Sequence, residues 1–548
     1  MTRKFLPVLL LAISISGLCQ VPLDFQKALQ TVSPDQIEST MSFLASDLLE
    51  GRQPGTRGFA IASQYVQTQF KALGLRPGGE GNQYVQGVLL KKGVIEKGSS
   101  TFVMRNINSN GWSYGNEFVF TPYMAHEKSE VAAPLVFAGF GISAPELGYD
   151  DYKGTDVKGK IVVLLDQAPD IFGNNERAYF SSANTKYQEA VKRGAVGVIT
   201  LNMSRRTSWN AIVRRNAQGA FKWVDGQGHA HNSFEELKVI GSVNPDHHDV
   251  LFSRSGKKLQ DVYSRLKSGK VQSFNLNIDA ELKITTKHSV VESSNLIGII
   301  PGSDPVLKDE YIVYVAHLDH FGIGAPVKGD SIYNGAHDNA SGVAILLEIA
   351  RAFRALPIAP KRSIAIAVVT GEESGLLGSD YFATNPTVKG SVVANLTIDM
   401  PFFFHPVLDI VPYGAQHSSL SNGVAEATKI LNLKVSPDPF PDQVIFIRSD
   451  HFSFVKKGIP ALFIKSGFMT VSSDTVNRAK SDVAWRTTTY HTPQDDMSQA
   501  FNFGGAATHA QVNFLIGLFT ANDLAKPRWN KGDFFGEKFG EKQTSKNP

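Results

Sequence analysis

Cysteine is almost missing from this chain of 548 residues, in which Cys19 is the single example. No disulfide framework can form within it, and a chain that begins after residue 19 has no thiol nucleophile and no Cys-based metal site. Excess charge is scarce too. The 55 Lys and Arg stand against 51 Asp and Glu, a net charge of +4, which leaves no global field to draw nucleic acid, and no nucleic-acid partner is expected. Beyond residue 18 no segment has the roughly 20 apolar residues that span a bilayer. The 42% apolar and 19% charged residues are globular values; they exclude a disordered chain, collagen and a coiled coil. A chain this long needs more than one hydrophobic core.

The first residues read as an address and not as fold. Arg3 and Lys4 precede the apolar run Phe5 to Leu18, and polar Gln20 follows Cys19, the layout of a secretory signal peptide over 1–19. Export to the periplasm or the extracellular space is expected, with no stable membrane insertion after cleavage. The run is too short for a membrane anchor, and Ser16-Gly17-Leu18 is a poor lipoprotein box before Cys19.

Helices, strands and turns then divide the remainder. Ser33-Pro34-Asp35-Gln36 has a capping hydroxyl, proline at the first helical position and a capping-box glutamine, so a helix begins there. Phe59, Tyr65, Val66, Phe70 and Leu73 mark a second helix from about Arg57, stopped by Gly74 and Pro77. Residues 78–125 read as irregular or β. Residues 126–280 carry short β-like runs, interrupted by a helix around Ala183 to Val191. After about 290, strands alternate with helices: Leu296 to Ile300, Tyr311 to Ala316, a helix over 341–356, Ile364 to Val369 and a short helix from Gly375. Strands at Val392, Leu408 and Pro460 follow, and a last helix over 505–521. This alternation predicts an α/β, doubly wound, mainly parallel sheet with helices on both faces. Residues 526–548, basic and poor in aliphatics, read as a surface extension.

In such sheets ligands bind beyond the carboxyl ends of the strands. The first strand here ends in His317-Leu318-Asp319, another in Glu372-Glu373 and another in Asp399, while His337-Asp338-Asn339 occupies a loop and Tyr490-His491 comes late. Imidazole and carboxylate are the ligands for zinc-like ions when cysteine is absent. Five such positions at one sheet edge, with one carboxylate bridging, can surround two metals.

The segments VAHLDH, NGAHDNASG, TGEESGLLGS, LTIDM and YHTPQDD resemble the co-catalytic di-zinc exopeptidases of metallopeptidase family twenty-eight, which includes secreted bacterial aminopeptidases and glutamate carboxypeptidase relatives. The resemblance covers roughly 290–525, and LASDLLEGRQPGTRG is similar to the family's N-terminal segment. VFAGFGISAPELGYDDYKGTDVKGKIVVLL is similar to a protease-associated domain. What the resemblance implies is a peptidase domain in two parts, 20–125 and 281–525, around an insert at 126–280. It implies two divalent ions, zinc, with His317 and Asp399 on one, Glu373 and His491 on the other and Asp338 between them. Glu372 would be the general base toward a hydroxide shared by the ions, Asp319 the carboxylate fixing the His317 tautomer, and Tyr490 a donor to the developing oxyanion.

Other residues have plainer readings. His337 stands where relatives more often have Asp and reads as a loop residue; His320, His405 and His417 read as surface or supporting groups. Three consecutive residues, Ser449-Asp450-His451, cannot converge as a triad. Phe402, Phe403 and Phe404 suggest an apolar specificity pocket or, equally, core and loop packing, whereas Arg448 and Lys465 would suit a carboxypeptidase. The expected activity is removal of N-terminal residues from peptides. The alternatives are a carboxypeptidase or dipeptidase on the same scaffold, a glutaminyl-cyclase-like transferase, or a binding protein without catalysis.

Overall fold

The computed structural model describes residues 25–105, 107, 112–203, 208–471 and 476–540. The leader, with Cys19, and residues 541–548 lie outside the described residues. Helices form where their caps are. Ser33 Oγ accepts the Gln36 N–H at the start of Pro34–Leu44, but the reciprocal half of the expected box comes from elsewhere: the Ser33 N–H donates to Glu348 Oε2 at 2.9 Å. Glu348 is a buried residue of helix Ser341–Arg354, so this cap also fastens two helices together. Thr56 caps Arg57–Ala72 in the same way, through the Phe59 N–H.

A mixed sheet runs through the molecule. At one end of it Ser363–Val369, Glu310–His317, Ser391–Thr397 and Ala461–Ser466 are mutually parallel in that spatial order, as the alternation of strands and helices predicts. Asp409–Tyr413 joins antiparallel beyond Ala461–Ser466. One face is covered by helices Pro34–Leu44, Ser341–Arg354 and Phe503–Asn522 around Tyr314, Ile345, Phe353 and Phe514; the other is covered through Phe382 and Phe454. A separate core, including Phe102, Phe118, Phe137 and Leu282, fills the 126–280 region and its flanks.

The strand expected over Leu296 to Ile300 is one end of a far longer one, Ser273–Ile300, of 28 residues. Its last residues pair with Ser363–Val369, its middle with Val85–Ile95 and its first part with Lys128–Ala138. The two halves of the sheet are therefore continuous across residue 280. The C-terminal segment also differs from the expected solvated extension. Trp529 Nε1 donates to the Gly458 carbonyl at 2.7 Å, Asp533 pairs with buried His417 at 2.6 Å and Phe535 is fully buried. Its aromatic residues bind it to the body, a signal that a count of charges and aliphatics passes over.

Arg52 ties the N-terminal segment to the sheet edge. Its buried guanidinium donates to the carbonyls of Leu44, Leu318 (2.8 Å), Asn334 (2.6 Å) and Gly335 (3.1 Å). It thus joins a helix end, the residue after His317 and the loop before Asp338. Burial lowers its pKa to about 10, opposed by Asp319, Asp495 and Asp338, so it stays charged at neutral pH. A lysine ammonium cannot reproduce a planar fork reaching four carbonyls. Arg52→Lys is expected to cost about 3 kcal/mol, two charge-assisted hydrogen bonds, read as a lower urea midpoint at unchanged slope.

Candidate metal centre

Parallel strands open their carboxyl ends at one edge. Glu310–His317 ends in His317, Ser363–Val369 leads to Glu372 and Glu373, and Ser391–Thr397 leads to Asp399. The loop Ala336–Ala340 carries Asp338 to the same edge, and His491 follows helix Arg478–Thr488. His491 (φ 58°) and Met400, next to Asp399 (φ 40°), hold left-handed backbone conformations, a strain that clusters at functional sites.

Asp338 stands in the middle. Its Oδ1 lies 3.2 Å from His317 Nε2, and its Oδ2 lies 3.2 Å from His491 Nε2. Asp399 Oδ1 lies 3.7 Å from His317 Nε2, and Glu373 Oε2 lies 3.2 Å from His491 Nε2. All five positions named from the sequence thus meet, in two sets that share Asp338. Zinc bonds of about 2.0–2.2 Å in a tetrahedron set ligand atoms roughly 3.3 Å apart, and the observed spacings match. His317 Nε2, His491 Nε2, Asp399 Oδ1 and Glu373 Oε1 are buried without a hydrogen bond among the described residues. The donor set fits two zinc-class ions.

Electrostatics fix the protonation of this cluster. Burial opposes the charge on Asp338, but the imidazoles of His317 and His491 beside its two oxygens hold its carboxyl well below the usual range. Burial also opposes charge on His491, and Glu373 and Asp338 outweigh it, raising the imidazole to about 9. Glu372 behaves differently. Burial, reinforced by Asp399 and Glu373 and opposed by His317, pushes its carboxyl well above the usual value. Its Oε2 stands 4.0 Å from His317 Nε2.

Asp319 supports the centre differently from the expected arrangement. His317 Nδ1 lies 3.1 Å from the Asp319 main-chain carbonyl and 3.8 Å from its carboxylate. The carboxylate is taken by the Glu372 and Glu373 N–H groups, at 3.1 and 3.3 Å, and so it orients the glutamate turn. Three further residues support the centre. Asp495 accepts the N–H groups of His337 and Asp338, each at 2.9 Å; it lies in YHTPQDD, where only the histidine and tyrosine drew notice. His320, read as a surface or supporting group, is buried with Nδ1 2.6 Å from Glu373 Oε1; its spacing of three from His317 was the available signal. Ser449 donates to Asp399 Oδ2 at 2.6 Å. Asn339, expected only to shape the loop, donates to Ile398 O and accepts from Gly342 N and Met400 N, joining the Asp338 loop to the Asp399 strand end. A Cβ at Gly342 would fall 2.2 Å from Asn339 Oδ1, so glycine is required there.

His337 takes no part in the centre; its ring is enclosed by Phe402, Phe403, Phe404, Trp485 and Phe501. The three phenylalanines expected to line a specificity pocket thus pack around an imidazole instead. His451 is likewise no catalytic partner, since its Nε2 bonds Phe446 O at 2.6 Å. Two spaces adjoin the centre and share Glu372, Arg448 and Tyr490 as walls. One is a recess of about 40 Å³ beside Asp399 and Met400, reaching Lys465 and Arg486. The other is a cleft of about 390 Å³ on the Glu373 and Leu376 side, also lined by Arg214 and Arg215 of helix Trp209–Ala217. Arg215 donates to Glu373 O at 3.2 Å. Tyr490 stacks on His491 with ring centroids 3.6 Å apart.

Known proteins with similar sequences and folds complete the description. The chain is 32% identical over 142 residues to aminopeptidase NAALADL1 of Mus musculus, a match covering 25% of this chain and 17% of that protein. It is 27% identical over 219 residues to aminopeptidase Y of Saccharomyces cerevisiae, covering 38% of this chain and 37% of that one. Each of these matches therefore spans well under half of the relative's own length. The solved aminopeptidase from Aneurinibacillus sp. strain AM-1 shares the fold at a TM-score of 0.53 and 20% identity, over 92% of this chain and 97% of its own. The model of peptidase family M28 matches residues 295–515. That segment carries His317, Asp338, Glu372, Glu373, Asp399 and His491.

Proposed function

We propose that the protein is an exported zinc-dependent exopeptidase that removes N-terminal residues from peptides. The observation that carries this reading is Asp338, whose two oxygens face His317 with Asp399 on one side and His491 with Glu373 on the other. His317, Asp338 and Asp399 would hold one ion, and Asp338, Glu373 and His491 the other. Two zinc ions so held supply Lewis acidity toward a substrate carbonyl and lower the pKa of a water.

The chain's own groups perform the proton work. Glu372 takes a proton from the attacking water and delivers it to the leaving amine; its raised pKa suits both halves of that task. Tyr490, beside Glu372 on the cleft wall, donates its phenol toward the carbonyl oxygen. Asp319 holds both glutamate N–H groups so that Glu372 and Glu373 keep separate duties.

Space supports an end-acting enzyme. A small recess on one side accepts a single side chain, and the wider cleft on the other receives the rest of the peptide. The similarity to aminopeptidase NAALADL1 and aminopeptidase Y supports action at the amino end. A carboxypeptidase or dipeptidase is the second reading, favoured by the cationic Lys465, Arg486 and Arg448 around the recess. Residues 20–125 and 281–525 would make the peptidase domain, and 126–280 the protease-associated insert, whose helix Trp209–Ala217 roofs the cleft. Residues 1–19 would direct export and be removed.

Purified protein is expected to carry two zinc ions per chain by elemental analysis, and chelation is expected to abolish hydrolysis and lower Tm, because a ligand bound only by the native state stabilises it. Glu372→Gln should retain both ions while losing about 10²- to 10⁴-fold in kcat. Asp338→Asn should lose metal as well as activity. Free-amine peptides should be shortened and N-blocked peptides of equal sequence left intact; shortening of the blocked ones from the carboxyl end would reverse the aminopeptidase assignment.

A further inference from the structure

The recess beside Asp399 is walled on its far side by cations. Lys465 is only 6% exposed, and its ammonium donates to Met400 O at 3.0 Å and sits 4.9 Å from the Phe463 ring centroid. An ammonium has three donors, and no ion pair to Lys465 is found among the described residues. Arg486 borders the same space, its Nε committed to Asp482 at 2.9 Å, and exposed Arg448 stands at the mouth. The carboxylates that also line it, Asp338, Asp399 and Glu372, face the metal centre in the reading above. Lys465 shares the recess with Asp399 and Asp338 without a direct ion pair to either, and a carboxylate entering the recess reaches the ammonium's remaining donors with charge-assisted hydrogen bonds. The volume of about 40 Å³ is room for roughly three water molecules, the scale of a carboxylate and not of an aromatic ring.

We propose that this recess selects an acidic side chain on the residue to be released, so that the substrates are peptides beginning with Asp or Glu, and that Lys465 is the specificity-determining residue with Arg486 and Arg448 beside it. This rests on the aminopeptidase reading and replaces the apolar preference that Phe402, Phe403 and Phe404 suggested from sequence.

The test uses the zinc-loaded full chain and the p-nitroanilides of Glu, Gln, Asp and Leu. Glu should exceed its neutral isostere Gln in kcat/KM by at least about tenfold. Lys465→Met should bring that ratio close to one, whereas structural damage alone would lower both rates and leave the ratio in place. Arg448→Gln, altered at an exposed position, should lower the same ratio by a smaller factor. A wild-type ratio of one or below, or a ratio that neither variant moves, overturns the proposal while leaving the exopeptidase intact. If no anilide is turned over and N-blocked peptides lose C-terminal residues, the aminopeptidase reading falls, and this proposal falls with it.

Discussion

Like charges confined in one buried space are the constraint to which the rest of this protein answers. Asp319, Asp338, Glu373, Asp399, Asp450 and Asp495 are all buried at one sheet edge, and Glu372 stands beside them. Carboxylates so close repel one another and lose their hydration. The chain answers with three devices that differ in kind. Imidazoles of His317, His320 and His491 face Asp338 and Glu373. Main-chain N–H groups are spent on Asp319 and Asp495. Arg52 contributes a permanent charge whose hydrogen bonds are nevertheless all to carbonyls. Its position lets it balance the acids without neutralising any one of them, which keeps the facing carboxylate oxygens available to cations.

Much of this was legible because the chemistry is written in residue types at strand ends. Imidazole and carboxylate gathered at predicted strand ends and loops pointed to a metal edge, and the resemblance of VAHLDH, NGAHDNASG, TGEESGLLGS, LTIDM and YHTPQDD to known segments singled out His317, Asp338, Glu373, Asp399 and His491. The capping of Pro34–Leu44 and Arg57–Ala72 was equally open to reading, since a cap needs only neighbours in sequence. What escaped was set by contacts distant in the chain. Asp495 reaches the Asp338 loop from 157 residues away, and Arg52 reaches Gly335 from 283. Neither signals its partner locally. Phe402 to Phe404 left two readings open for a related reason: three aromatics announce an apolar enclosure, and only tertiary packing tells whether a substrate or His337 lies inside.

Charges of opposite sign are divided between the walls of one small space. The wall made by strand ends presents acids, and the wall made by Lys465, Arg486 and Arg448 presents cations. Lys465 lies on strand Ala461–Ser466, which pairs directly with the strand leading to Asp399. The two walls are therefore held in register by main-chain hydrogen bonds, and a change of selectivity can be made on one strand without disturbing the other.

The strand Ser273–Ile300 bears on how such a protein can change over time. It crosses from the sheet of the 126–280 region to the strands around Glu310–His317 without a break, and its register shift lies near its start, between Asn275 and Asp279. An accessory unit attached by loops can be exchanged as a cassette. Here, removing it would cut a strand that borders Ser363–Val369, the same strand that leads to Glu372 and Glu373. The 126–280 region is thus woven into the sheet that ends in His317, and it can vary by altering its surface loops and the helix Trp209–Ala217 far more readily than by being gained or lost whole.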